Sequence, residues 1–453
     1  MADQAPTTPP PFDPSAEHMQ RPKLRKVRGF PVQGQGPDGK PVTLLGLADA
    51  QQISTQIVGA NPAFQVVLPL MDGSRDLDQI VAEVGRGLTR QMMESFVAQL
   101  DGALLLEGPA FEALSADMRA KFDASDTLPP GSTAAFADAL VQQAYEGKAT
   151  EDQLKAEGGA KLDAILGQWM DQAAEQLKLA PAETMPKAIM VPHVDYPRGW
   201  INYASGWGRL RGLDAPDRIV ILGTNHFGSA TGVCGCDKAY ESPLGTSPVD
   251  ARLIETLKGK LGPEGAEKLF EHRFDHENEH SIELQIPWIQ KVFGFGVPVF
   301  GALVHDPAVN NGESYDGNGL DLDPFVDAMK ASLTELGGRT LVISSADLSH
   351  AGPSFGDKQP VASENDEDEQ AKAFREQVAK HDQEMLAKVR EGKPDDLVGA
   401  MAWQQNPTRW CSIGNIVAAM QVTESSEASV ISYAAAVDPS GNALVSSASV
   451  AMT

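Results

Sequence analysis

Histidine is scarce in this chain, with nine in 453 residues, and four of the nine stand in dense polar clusters. The clusters read "VPHVDY" around His193, "GTNHFG" around His226, "NEHSIELQIPW" around His280 and "SSADLSHAG" around His350. Neutral imidazole is the commonest ligand for iron, copper and zinc, and carboxylates complete and orient such sites. A single histidine after a strand is ordinarily a satisfied structural residue, so it is the repetition that points to a shared pocket. Asp347 and His350 stand three apart just after an apolar run, so one tight turn or a first helical turn would aim both at one place. His280 and Glu283 have the same spacing at a helix start. There, Glu279, His280 and Ser281 either line a metal site or cap the helix.

The elements that must position these residues are short apolar runs. "KAIMVP" leads into His193, "RIVILG" into Thr224-Asn225-His226, "PVFGALV" into His305 and "TLVISS" into Asp347 and His350. Runs rich in Val, Ile and Leu are expected of strands buried on both faces. Helix-like segments separate them, which predicts an α/β fold, a mainly parallel sheet flanked by helices. In such sheets ligands sit at the carboxyl ends of the strands. Four strands delivering imidazole or carboxylate to that edge would open the core into a pocket, with His305 at its rim. His272 and His276, in "EHRFDHENEH", read as surface or rim residues, or as a second metal site.

The N-terminal part reads differently. Residues 1–22 are Pro-rich, lack the apolar core of a signal peptide and predict a disordered tail. No run is long and apolar enough to span a bilayer, which predicts a cytoplasmic protein. "KVRGFPV" and "PVTLLGL" predict short strands. After a turn at Asp72-Gly73, Leu77, Ile80, Val81 and Val84 share one helix face. "TRQMMESFVAQLDGALLLEG" predicts a second helix and then a strand-like stretch, Ala103 to Leu106. Together these give a small winged helix-turn-helix α+β domain over residues 24–110. Residues 111–149 form a linker, marked by "DASDTLPPGST", and a helix. Apolar positions 162, 165, 166, 169 and 170 then line one face of a further helix. A larger domain covers residues 150–453.

Composition bounds the function. With 37 basic and 62 acidic residues the formal net charge is -25. That excludes a broad nucleic-acid or anionic-membrane surface and suits small, cationic or peptidic partners. Three cysteines in this length predict a reducing compartment without a disulfide framework. Cys234-x-Cys236 is either a soft-metal pair or two small residues in a Gly-rich strand. "SENDEDEQ", Ser363 to Gln370, reads as a solvated loop, since its spacing fits no known calcium loop.

"LMDGSRDLDQIVAEV" followed by "FVAQLDGALLLEG" resembles the PqqD-like family, whose domains recognise peptides in the making of ribosomally synthesised, modified peptides. The resemblance implies that a leader peptide adds a strand to the sheet edge. The alternative is a docking or dimerisation domain for a partner protein. Winged helices usually bind DNA, but basic residues are sparse on this candidate second helix.

Residues 150–453 resemble the Memo-like family, called AmmeMemoRadiSam system protein B in many prokaryotes. "MVPHVDY", "ILGTNHFG", "HENEHSIELQIPW", "ISSADLSHAG" and "WCSIG" follow that family's motifs in register. "SVISYAAAV" resembles its final strand, and "EGGAKLDAILGQWM" the helix that opens the domain. The resemblance implies the fold of class III extradiol dioxygenases, which use non-haem iron(II). By motif it implies His193, His226 and Cys411 as metal ligands. His280, Asp347 and His350 would serve as acid/base or positioning groups, with Glu283 behind His280 and Asp347 orienting His350 as a general base. Asp195, Tyr196, Arg198 and Asn225 would contact substrate. Val194-Asp195 stands where the family has Ala-Gly, and Ser412 where it has Gly. Asp195 and Arg198 either meet a substrate amine and carboxylate or form a structural ion pair. Two imidazoles and a thiolate favour Fe(II) or Cu, with zinc behind them. The implied function is a metal-dependent oxidoreductase modifying a ribosomal peptide held by the N-terminal domain. The alternatives are a metal-binding redox protein without turnover that recruits a partner, and a hydrolase using metal-bound water.

Overall fold

The computed structural model describes residues 11–35, 40–362 and 368–453. The chain divides into two compact units, Met1–Ala124 and Ser125–Thr453.

The first unit carries a short helix α1 (Glu17–Gln20) and three strands, β1 (Val27–Gln35), β2 (Pro41–Asp49) and β3 (Ile57–Ala60). They form an antiparallel sheet in that order. Three helices follow, α2 (Leu77–Val84), α3 (Arg90–Gly102) and α4 (Pro109–Ala124). Asp76 and Gln79 form a reciprocal capping box that starts α2. Leu77 and Ile80 are buried with Leu47, Phe96 and Leu100, and Val81 and Val84 pack at the margin of that core. Each such side chain contributes roughly 1.5–3 kcal/mol by leaving water. Met19 belongs to the same core and Phe12 packs against it, so the unit begins within the stretch expected to be a disordered tail. Residues 1–10 of that tail lie outside the described residues. Ala103 to Leu106 is not a strand. Leu104 takes φ 60, a left-handed turn, and only a single bridge joins Leu24 to Leu106.

The second unit opens with β4 (Thr127–Leu128), α5 (Ser132–Ala144) and α6 (Glu151–Leu177). Residues 111–149, expected as linker and helix, therefore hold most of α4 together with β4 and α5. Next come β5 (Ala188–Val191), α7 (Tyr196–Gly208), β6 (Arg218–Thr224), β7 (Cys234–Cys236), β8 (Ala239–Ser242) and β9 (Gly245–Ser247). Then follow α8 (Ala251–Phe270), α9 (His280–Glu283), α10 (Ile286–Phe293), β10 (Val299–Val304), α11 (Pro307–Asn310) and α12 (Leu322–Leu336). The unit ends with β11 (Thr340–Ser345), β12 (Asp347–Ala351), α13 (Glu369–Arg390), α14 (Pro394–Gln404), α15 (Ile413–Thr423), β13 (Ala428–Val437) and β14 (Leu444–Met452).

The four apolar runs become β5, β11, β6 and β10, adjacent and parallel in that order. Every residue of β5, β6 and β10 is buried. Helices supply the cover, with Leu253 of α8, Phe325 of α12 and Ile416 of α15 packed on Val220, Phe300 and Val342. The sheet has eight strands, and it is parallel only in this centre. β7 adds antiparallel to β10, β14 to β5, and both β12 and β13 to β14. "SVISYAAAV" lies in β13 and is not the last strand. The short link to β14 is a hairpin connection, which permits only antiparallel pairing. A three-stranded sheet of β4, β8 and β9 stands apart. Cys234 and Cys236 are buried small residues of the edge strand β7. Of the acidic run, residues 363–367 lie outside the described residues, and Asp368 caps α13.

Candidate metal centre

His193 follows β5 by two residues, His226 follows β6 by two, and Asp347 follows β11 by two. His280 is the first residue of α9, and Cys411 precedes α15. The sheet edge brings these together. Candidate ligand atoms of His193, His226 and His280 all lie within 4.8 Å of one another. Ring centroids are 5.0 Å apart for His193 and His226, 5.5 Å for His193 and His280, and 4.8 Å for His226 and His280. Cys411 Sγ is 3.4 Å from His193 Nε2. His280, expected beside the ligands, is thus one of the three converging imidazoles.

The imidazoles are oriented from behind. His193 Nδ1 is 2.9 Å from the Ser345 carbonyl. A carbonyl only accepts, so Nδ1 carries a proton and Nε2 faces the cluster. His226 Nδ1 donates to Glu279, 3.0 Å from Oε1, and its backbone N–H donates to Oε2 at 2.8 Å. Glu279 also accepts from the Ser281 N–H at 2.8 Å and lies 3.3 Å from His280 Nδ1. One buried carboxylate therefore sets two of the three rings. The sequence leaves Glu279 open between lining a metal site and capping the helix; it does both, capping α9 through the Ser281 N–H and holding His226. Asp347 Oδ1 accepts from the His193 N–H at 3.0 Å, and Oδ2 stands 3.6 Å from His193 Nε2.

The electrostatics follow from these contacts. At His226 burial opposes the charged form, but Glu279 outweighs it and raises the imidazole well above its ordinary value. At His193 burial is likewise opposed, and outweighed, by Asp347 and Cys411. His280 goes the other way: burial pushes it down to about 4, which leaves it neutral and free to bind. Burial disfavours the Cys411 thiolate, yet His193 and His350 bring the thiol well below its ordinary value. Thiolate and neutral imidazole are the forms that coordinate soft and borderline metals.

Other expected site residues stand elsewhere. Asp347 orients His193, not His350. The chain after Ser345 continues as β12 with a bulge, so the turn that would have paired Asp347 with His350 does not form. His350 instead places Nδ1 3.1 Å from the Leu348 carbonyl and 3.2 Å from that of Arg409. Glu283 is turned away from the cluster. It accepts from the N–H groups of Gly131, Ser132 and Thr133, each at 2.9 Å, and so anchors the start of α5. Tyr196 is buried and donates to the Leu284 carbonyl at 2.7 Å, so it is a core residue and not a substrate contact. Asn225 holds its own loop, donating to Asp275 Oδ2 at 2.8 Å and accepting from the Gly228 N–H at 2.8 Å. Asp195 caps α7 and pairs with exposed Arg198 at 2.6 Å, the structural alternative of the two readings. His276 is buried between Tyr240 Oη at 3.2 Å and the Cys234 carbonyl at 3.1 Å, and is no rim residue. His305 is buried as well, with Nε2 on the Gly312 carbonyl at 3.0 Å. Among the described residues the histidine triad is the one cluster with metal-ligand spacing.

At the carboxyl edge of an α/β sheet, three imidazoles and a thiol converge from two strand ends, the start of α9 and the segment before α15, which defines a protein with a candidate metal centre. The chain belongs to the Memo-like family, whose model, described as "Memo-like protein", matches residues 156–451. A MEMO1 family protein of Aquifex aeolicus is 25% identical over 341 residues, covering 73% of this chain and 77% of that one. A MEMO1 family protein of Methanopyrus kandleri is 32% identical over 176 residues, 38% of this chain and 55% of its own length. A Caenorhabditis elegans protein named "Protein memo-1 homolog" is 33% identical over 137 residues, 29% of this chain and 35% of that one. Among the described residues no helix is long and apolar enough to cross a membrane.

Proposed function

We propose that the second unit binds one iron or copper ion through His193, His226 and His280, with Cys411 as a further donor, and acts as an oxidoreductase on a peptide held by the first unit. The observation that carries this reading is the convergence of the three imidazoles beside a thiol on the acid side of its ordinary value. The residues fit such a metal. His193 and His226 have Nδ1 engaged by a carbonyl and a carboxylate, which leaves Nε2 as donor, as ligating histidines require. Imidazole with thiolate selects copper, iron or zinc over magnesium or calcium. A bound iron or copper would supply one-electron chemistry. The chain itself would fix the rings through Glu279 and Ser345, and keep His350 within electrostatic reach of Cys411.

The peptide-holding half of the reading is supported by a groove of about 380 Å³ between β3 and α3, lined by Gly59, Asn61, Phe64, Met92, Phe96 and Gln99. Among the described residues β3 pairs only with β2, which leaves its outer edge for an added strand. The test is incubation of iron- or copper-loaded protein with a mixture of synthetic peptides, with and without dioxygen, read by mass spectrometry. A metal- and dioxygen-dependent mass change supports the oxidoreductase. Peptide cleavage that needs zinc and no dioxygen would replace it with the hydrolase. Metal binding without any change would leave a metal-binding redox protein.

A further inference from the structure

We propose that Asp382, which lies outside the histidine cluster, is a positioning residue for Cys411 and His350. The inference rests on the reading of His193, His226, His280 and Cys411 as a metal centre and adds the group that holds its thiol in place.

Asp382 stands on α13 with no exposed surface. Its hydrogen-bond donors are all uncharged. Ser349 Oγ donates to Oδ1 at 2.5 Å and Trp410 Nε1 to Oδ1 at 2.7 Å. Tyr433 Oη donates to Oδ2 at 2.7 Å and Ser446 Oγ to Oδ2 at 2.6 Å. A carboxylate buried without a cation is costly unless hydrogen bonds satisfy it fully, and here each oxygen accepts two. The four donors come from β12, the segment before α15, β13 and β14, so one carboxylate ties four elements to α13.

Two of those four lead into the site. Trp410 is the neighbour of Cys411, and Ser349 the neighbour of His350. They also touch each other, Trp410 Nε1 to Ser349 Oγ at 3.2 Å. The segment that carries Cys411 needs holding. Gln405, Asn406 and Arg409 take φ values of 58, 45 and 58, a region that non-glycine residues adopt only when their surroundings impose it. Asn406 clasps the Trp410 backbone through Nδ2 to its carbonyl at 2.9 Å and Oδ1 from its N–H at 2.7 Å. The His350 N–H donates to the Thr408 carbonyl at 2.7 Å, and Arg409 Nε to the His350 carbonyl at 2.9 Å. These bonds tie the segment to β12, and its root is the buried Trp410 indole fixed on Asp382. Releasing that root shifts Cys411 Sγ from its place 3.4 Å from His193 Nε2.

The probe is cobalt(II) added to the full metal-free chain. A thiolate-to-cobalt charge-transfer band reports Cys411 in the coordination sphere. Asp382→Asn, which places an amide where a donor must be accepted, should weaken the band and cobalt affinity by about tenfold or more. Trp410→Phe, which removes one indole N–H, should do the same. Tyr433→Phe takes a donor from Oδ2, the oxygen that Ser349 and Trp410 do not use, and should leave both unchanged. The inference is overturned if folded Asp382→Asn and Trp410→Phe keep the wild-type band and affinity. It is equally overturned if Tyr433→Phe weakens them as much, because the carboxylate would then serve folding alone. If wild-type protein binds no cobalt, or Cys411→Ser retains the band, it is the metal reading that fails. Iodoacetamide labelling of Cys411 in the metal-free chain then decides the inference. Several-fold slower labelling in the Asp382 and Trp410 variants, and not in Tyr433→Phe, upholds it; equal rates overturn it.

Discussion

Glu279 grips His226 at two points, 2.8 Å from its backbone N–H and 3.0 Å from Nδ1, and so fixes both the position and the tautomer of that ring. The same carboxylate reaches His280 at 3.3 Å. Glu279→Gln keeps the shape but cannot accept from both nitrogens with full charge. Metal affinity should fall by about 10–100-fold while the fold is kept. Titration of metal-free wild type and variant, with circular dichroism alongside, checks this; an unchanged affinity would remove Glu279 from the site.

Three thiols have three environments. Burial pushes Cys234 well up and Cys236 up to about 12. Cys411 shifts down because His193 and His350 outweigh its burial. Near neutral pH, iodoacetamide should label Cys411 of the metal-free chain and leave the other two untouched. Bound metal should protect Cys411. Peptide mapping by mass spectrometry reads the outcome, and equal labelling of all three would refute the thiolate.

Glu283 belongs to the fold. Its carboxylate satisfies three orphan N–H groups at the start of α5. Glu283→Ala should cost about 1–3 kcal/mol in denaturant unfolding and leave metal content intact. Loss of metal without loss of stability would return Glu283 to the site.

His276 gives a pH dependence. It is buried, and burial lowers its pKa, which keeps the imidazole neutral. A group with a depressed folded pKa contributes stability that is present above the unfolded value, about 6.5, and is lost as pH falls from there toward the folded value. Stability should therefore decline between about pH 6.5 and the depressed value. His193 and His226 shift upward in the metal-free chain and act with the opposite sign. The measurement is accordingly the difference in slope between wild type and His276→Gln. The variant should lose less stability on acidification; identical slopes would refute the buried neutral imidazole.

The strand ends were legible because four apolar runs buried on both faces leave few choices, and each stops at a polar residue. Long-range partners were not. Glu283 meets Gly131 across 152 positions of sequence, a contact no local spacing encodes. The Asp347–His350 pair looked like a turn because i, i+3 neighbours converge on a helix, whereas a bulged strand carries Asp347 to His193. Asp382 lies in the charge-rich α13, and no local pattern marks its burial beneath Trp410, Tyr433 and two serines from distant segments. In the first unit Ala103 to Leu106 had strand composition, but the left-handed Leu104 turns it away from any ladder.

The central claim is that the converged histidines bind a transition metal, and the direct measurement is metal content. Full-length protein purified without oxygen or chelators should carry near-stoichiometric iron or copper by plasma mass spectrometry. The doubly substituted His193→Ala/His226→Ala chain, still folded, should carry almost none. Equal metal in both proteins, or none in the wild type, would contradict the account and leave a polar pocket without a cation.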